Sequence, residues 1–317
     1  MKKRNIVFKL ISIALLSVFL SSCTHEQKDD IYIVFTNDVA STIDGNIGYA
    51  GLKGFTDQIR MEHPYVTLVD AGDFYDGDVA AKSKGVYITD LMDITGYEIV
   101  AIGNQEFSIG LDALGANMND ADFAFVSCNI KYLGDGEDPI SARKPYVIKN
   151  YGGTKIAFIG VTTPETTKPG KAAYNAILKD GELLYDFYGG NEGQDLYDQV
   201  QKTVDSVRKK VDYVIVLAHL GMNSVMKGYS SYELIANTTG IDAVIDGHSH
   251  TLNTGEAVPN KEGINVVLTS TGQKFENIGV MTINKDHTFT TVTYPVTYYY
   301  DDRVSQMVDE IREKLGN

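Results

Sequence analysis

"VTLVDAGDFYDG", residues 66–77, decides how this chain is read. Val66 to Val69 is a short apolar run of strand length, and it leads directly into Asp70 and Asp73 on either side of Gly72. A strand apolar throughout is buried on both faces, as in a sheet covered by helices. Polar residues at its carboxyl end then stand where loops from several strands meet and ligands bind. The same arrangement recurs along the chain. "IYIVFT" (31–36) runs into Asn37 and Asp38, "EIVAIG" (98–103) into Asn104 and Gln105, "DYVIVLAH" (212–219) ends on His219, and "DAVID" (242–246) is followed by His248 and His250. "KIAFIGVT" (155–162) and "INVVLTS" (264–270) are further apolar runs. Helical stripes lie between them: Tyr87, Ile88, Leu91 and Met92; Leu196, Val200, Val204, Val207 and Val211; and, near the end, Val304, Met307, Val308, Ile311 and Leu315. Residues 278–296 have the pattern of a hairpin turning at Asn284 to His287. This alternation predicts an α/β layered core. No repeat, low-complexity stretch or linker divides it, so residues 31–317 are taken as one domain.

Composition agrees with a globular body: 43% of the 317 residues are apolar and 22% charged. The first residues differ. Lys2, Lys3 and Arg4 precede an apolar run from Leu10 to Leu20, and "LSSC" follows at 20–23. That pattern is read as a bacterial lipoprotein signal peptide over 1–22, with Cys23 acylated as the new N-terminus and 23–30 a polar tether. The expected location is an exported, membrane-anchored lipoprotein facing the periplasm or the cell surface. Removing 1–22 takes away four basic side chains and no acidic ones, so the formal charge falls from −14 to −18. So acidic a surface repels a nucleic acid polymer. A small phosphorylated substrate remains compatible, because a bound metal reverses the local sign. Cys128 is then the one remaining thiol, which excludes an internal disulfide.

Asp38, Asp73, Asn104, His219, His248 and His250 all fall at strand ends. Carboxylate, amide oxygen and imidazole together suit Mn, Zn, Fe or Co. Taken singly, Asp38 and Asn104 read equally well as turn or helix-capping residues, and His219 as a core histidine; the constellation points to metal. His25, His63 and His287 fall elsewhere and are read as structural or surface residues.

In this order, "TNDVA", "DAGDFYDG", "GNQEF", "GVTTPET", "VLAHLGM" and "IDGHSHT" resemble the metallophosphatase domain of the 5'-nucleotidase family, within the calcineurin-like phosphoesterases. The resemblance runs from about Ile31 to Pro295. It implies a four-layer αββα sandwich of the metallophosphoesterase type with two ions at the strand ends, bridged by Asp73. One ion would also take Asp38 and His250, the other Asn104, His219 and His248. The ions of such a site activate a shared water and clamp the phosphoryl oxygens, with Asp73, Asn104 and Gln105 as the catalytic candidates. Two positions depart from the family pattern. A first-motif histidine ligand is Ala40 here, and the third-motif histidine that contacts the phosphoryl group is Gln105. The expectation is therefore a metal-dependent phosphohydrolase for nucleotides or related phosphoesters, holding one or two divalent ions and attenuated in activity. The alternative is an inactive lipoprotein that binds metal and phosphate and acts with a partner. The family's C-terminal nucleotide-binding domain does not follow residue 317, so a separate protein resembling that domain is the expected partner.

Overall fold

The computed structural model describes residues 27, 29–43, 45, 47–222, 226–295 and 298–316. The signal peptide and Cys23 lie outside the described residues. Gln27, in the stretch read as a polar tether, is buried, and its amide donates to the Ile283 carbonyl at 2.9 Å. The chain is thus already docked on the body at Gln27.

Val34 and Phe35, neighbours on one strand, face different cores. This period-two alternation builds two sheets with an apolar layer on each face. The first sheet contains β1 (Ile31–Thr36), β2 (Val66–Asp70), β3 (Ile99–Ala101) and β4 (Ala124–Val126). The second contains β5 (Tyr146–Tyr151), β6 (Thr154–Thr162), β7 (Tyr213–His219), β8 (Ala243–Asp246), β9 (Leu252–Pro259) and β10 (Asn265–Thr271). The chain then returns to the first sheet with the hairpin β11 (Ile278–Ile283) and β12 (Phe289–Tyr294). Strand order is β12-β11-β1-β2-β3-β4 in one sheet and β9-β10-β8-β7-β6-β5 in the other. In the first sheet β1 to β4 are parallel, and in the second β6, β7, β8 and β10 are; the remaining pairings are antiparallel.

Between the sheets lie Ile31, Ile33, Phe35 and Val69 against Ile156, Phe158, Ile215 and Leu217. The outer face of the first sheet is covered by α1 (Gly48–Glu62), α2 (Val86–Thr95), α3 (Leu111–Asp120) and α6 (Asp302–Leu315). The second is covered by α4 (Gln194–Arg208) and α5 (Ser231–Asn237). Helices, sheet, sheet, helices: the four-layer expectation and the observed layering agree.

The end of β4 lies directly against β6. Gly160 sits there: a Cβ would come within 2.1 Å of the Val126 carbonyl oxygen, and the Gly160 carbonyl accepts from Cys128 N–H at 2.8 Å. Nearby, the Thr162 hydroxyl donates to the Ile102 carbonyl at 2.6 Å. Gly160→Ala should therefore push the sheets apart and cost about 1 to 3 kcal/mol, as overpacking against a rigid backbone does. Urea unfolding should show a lower midpoint at unchanged slope; an unchanged midpoint would contradict this packing.

Candidate metal centre

The carboxyl ends of β1, β2 and β3 meet those of β7 and β8 along one seam. His219 closes β7, fully buried. Its Nδ1 lies 2.8 Å from the Ala71 carbonyl oxygen of the opposite sheet. A carbonyl only accepts, so Nδ1 carries the proton. The other ring nitrogen, Nε2, is buried without a hydrogen-bond partner, 3.0 Å from Asp73 Oδ2 and 3.9 Å from Asp38 Oδ1. Gly72, at φ +97°, lets the strand-end loop pass the imidazole, since a Cβ there would lie 2.8 Å from His219 Nδ1.

Asp73 is itself in left-handed backbone, at φ 62°. The Gln105 N–H donates to its Oδ1 at 2.8 Å, which leaves Oδ2 turned towards His219. Beside it, Asn104 Oδ1 is a buried oxygen without a hydrogen-bond partner. His248 completes the group: one ligand atom each from Asp73, His219 and His248 lies within 4.8 Å of the others. Asp73, Asn104, Gln105, His248 and His250 line one cavity of about 200 Å³ with Asp76, Glu165, Lys168 and Lys171.

The other predicted residues are placed differently. Asp38 is buried, and its carboxylate accepts from Asn37 Nδ2 at 2.7 Å and from the His248 N–H at 2.9 Å. His250 Nε2 stands 3.5 Å from Asp38 Oδ1, with its ring half exposed. Ala40, at φ 50°, lines a separate cavity of about 430 Å³ with Lys274 and Asp78. Gln105 keeps its backbone hold on Asp73 and offers the cavity a neutral amide. Outside the centre, His63 stacks on Tyr32 with ring centroids 4.0 Å apart, and His287 Nδ1 lies 2.5 Å from the Tyr213 hydroxyl.

Sequence reasoning gave Glu106 no role. It is fully buried and accepts from the N–H groups of Asp73, Phe74, Tyr75 and Gly103, at 2.6 to 3.1 Å. It thereby fixes the β2 loop to the β3 loop. The signal lay in "GNQEF", where a carboxylate precedes a core phenylalanine.

Buried carboxylates crowd this seam, and the field shows in the titrating groups. Burial, then the Asp73 charge, pushes Glu106 up to about 7. Burial likewise raises Asp38, against the pull of His219. For His219 burial opposes the imidazolium, but Asp73 and Asp38 outweigh it and raise the group to about 10. A divalent cation fits such a site: it neutralises the carboxylates, and the donors unpartnered within the protein are imidazole nitrogen and amide oxygen, types that Mn, Zn, Fe and Co accept.

Residues 62–273 match the family described as bacterial capsule synthesis protein PGA_cap, about two thirds of the chain. The 5'-nucleotidase of Rattus norvegicus is 30% identical over 267 residues, covering 78% of this chain and 42% of that protein. The chain belongs to the PGA_cap family and carries a 5'-nucleotidase-type metallophosphatase domain, within the calcineurin-like phosphoesterases. In Bacillus subtilis the trifunctional nucleotide phosphoesterase protein YfkN is 26% identical over 271 residues, covering 75% of this chain and 17% of that protein. Among solved structures, the 5'-nucleotidase precursor from Thermus thermophilus superposes with a TM-score of 0.76 at 21% identity, over 90% of this chain and 59% of that one. The metallophosphatase domain thus spans about two fifths of the length of the rat relative.

Binding an ion at this centre must displace a proton. In the ion-free protein His219 is raised to about 10, so at neutral pH Nε2 is protonated, while a ligand nitrogen must be bare. Apparent affinity should therefore rise with pH, about tenfold per unit between pH 6.5 and 8.5, with about one proton released per ion. Calorimetric titration with Mn²⁺ in buffers of different protonation enthalpy measures both; an affinity flat across that range would contradict ligation through His219.

Proposed function

We propose that this domain is a phosphohydrolase that works with a single divalent ion at Asp73, Asn104, His219 and His248, and acts on nucleotides or related small phosphoesters. One observation carries the reading: His219 Nε2, 3.0 Å from Asp73 Oδ2, comes together with His248 and with Asn104 Oδ1, an oxygen buried without a hydrogen-bond partner, beside a cavity open to solvent. A buried polar atom left unpartnered is costly unless something binds it. The names of the relatives, nucleotidases and a nucleotide phosphoesterase, support the substrate class.

When bound, a divalent ion supplies Lewis-acid polarisation of a phosphoryl oxygen and a nucleophilic water of lowered pKa. The protein's own groups do the positioning. The Gln105 N–H and Glu106 hold Asp73 and its loop, and the Ala71 carbonyl holds the tautomer of His219. The Gln105 amide can donate to a phosphoryl oxygen, but it can neither carry a positive charge nor deliver a proton to the departing oxygen. For a second ion the described residues offer Asp38, already engaged by Asn37 and the His248 amide, and the half-exposed His250. Ala40 adds no donor. The activity is accordingly attenuated. The same two residues favour a second reading, a domain that binds metal and phosphate without turnover.

Four chains separate the two: the natural sequence, Ala40→His, Gln105→His and the double variant, each assayed on an aryl phosphate and on nucleoside monophosphates with saturating Mn²⁺. Positioned acid and base groups contribute about 10² to 10⁴-fold, so the double variant should be at least about 10²-fold faster than the natural chain. Each single change should give less, because the two act on one site. A natural chain as fast as the double variant would refute attenuation. No turnover in any of the four, with metal retained, would favour the binding reading.

A further inference from the structure

The cavity above the donors has a cationic rim that the phosphoryl reading leaves unused. Lys168 and Lys171 line it. Both are exposed, and neither is ion-paired among the described residues. They flank Pro169 and Gly170, the glycine at φ +88° making the turn between them. The turn is anchored at both ends. On one side, Glu165 Oε2 lies 3.6 Å from His248 Nε2. On the other, the short helix Ala172–Ala176 packs against the segment Gln105–Ile109, with Ala173 buried. The two ammonium groups are therefore held at the mouth of the cavity that has Asn104, Gln105 and Asp73 in its wall.

In a chain of net charge −14, two lysines at this mouth offset Asp76 and Glu165 in the same lining, and once an ion neutralises Asp73 they leave the mouth able to attract anions. A phosphoryl group seated against Asn104 and Gln105 would lie at the buried floor. The lysines stand at the rim, where a compact charge on a long flexible stem suits a second, separate anionic group. We infer that Lys168 and Lys171 bind a second phosphate or carboxylate of the same substrate, so that the preferred substrate carries two anionic groups, a bisphosphate or phosphorylated acid in place of a simple monoester. This rests on the phosphoryl-binding reading above and adds to it which phosphoesters are favoured.

The test uses the full chain loaded with Mn²⁺ and two ligands whose carbon–phosphorus bonds resist hydrolysis, propylphosphonate and propane-1,3-bisphosphonate. Calorimetry should find the bisphosphonate bound roughly tenfold more tightly, the scale of two exposed charge contacts. In the K168A/K171A variant that preference should shrink to about the twofold of two equivalent ends, with propylphosphonate affinity and metal content unchanged. K168R/K171R should keep the preference. A natural chain with no preference, or a preference that survives in K168A/K171A, overturns the inference. So does an equal loss of affinity for both ligands, which would assign the lysines to the scissile phosphoryl group. If neither phosphonate binds the metal-loaded chain, the phosphoryl reading itself fails, and this inference with it.

Discussion

A single hydrogen bond across the seam between the sheets sets the chemistry of this site. His219, at the end of β7, donates its Nδ1–H to the Ala71 carbonyl at the end of β2, and that bond turns the ring so that Nε2 is the nitrogen that faces Asp73. Ligating histidines are oriented by such partners, and here the partner is main chain from the opposite sheet. The bond exists only if the sheets are stacked in the observed register, so packing of the layer around Phe35, Phe158 and Leu217 is also what assembles the site. Asn37 reinforces the same seam further along: its side chain accepts from Thr271 N–H and donates to the Gly272 carbonyl and to Asp38, at 2.7 to 2.8 Å.

Placing so many carboxylates together is unfavourable without a cation. Asp38, Asp70, Asp73 and Glu106 are all buried within one stretch of loops. Some of the cost is offset by backbone amides. Glu106 takes four, and Asp70 takes the Gly72 N–H at 2.7 Å and the Thr36 hydroxyl at 2.5 Å. What remains is concentrated on Asp73, the carboxylate closest to His219, and there the negative field meets unpartnered donor atoms. An ion at that point relieves the repulsion and satisfies the donors together, which is why its binding is tied to the proton on His219.

Much of this was legible in the sequence, and the reasons differ by element. Strands buried on both faces are written as unbroken apolar runs, so β1, β2, β6, β7, β8 and β10 could be read within a residue or two. β4, β5 and β9 could not: β4 is three residues long, and β5 and β9 are edge strands with polar, exposed faces. Helix α1 was hidden by Gly48, Gly51 and Gly54, poor helix formers. Gly54 is required because a Cβ there would come within 2.5 Å of the Tyr300 backbone nitrogen, a contact between distant segments that no local pattern encodes. At the site, the donor residues could be named from their places at strand ends. The role of Glu106, the engagement of Asp38 with Asn37 and His248, and the lysine rim depend on how loops from different strands lie together.

Ala40 and Gln105 acquire their meaning from that geometry. Asp73, Asn104 and His248 line one cavity, with His219 buried against Asp73, while position 40 opens onto another space beside Lys274. The fold thus keeps one complete donor set and an incomplete neighbour, which is the basis for proposing that the domain holds one ion. Plasma mass spectrometry of the full chain, loaded with excess Mn²⁺ and then freed of unbound metal, measures this directly. One ion per chain is the predicted result; two ions per chain, or none, would contradict a single-ion centre.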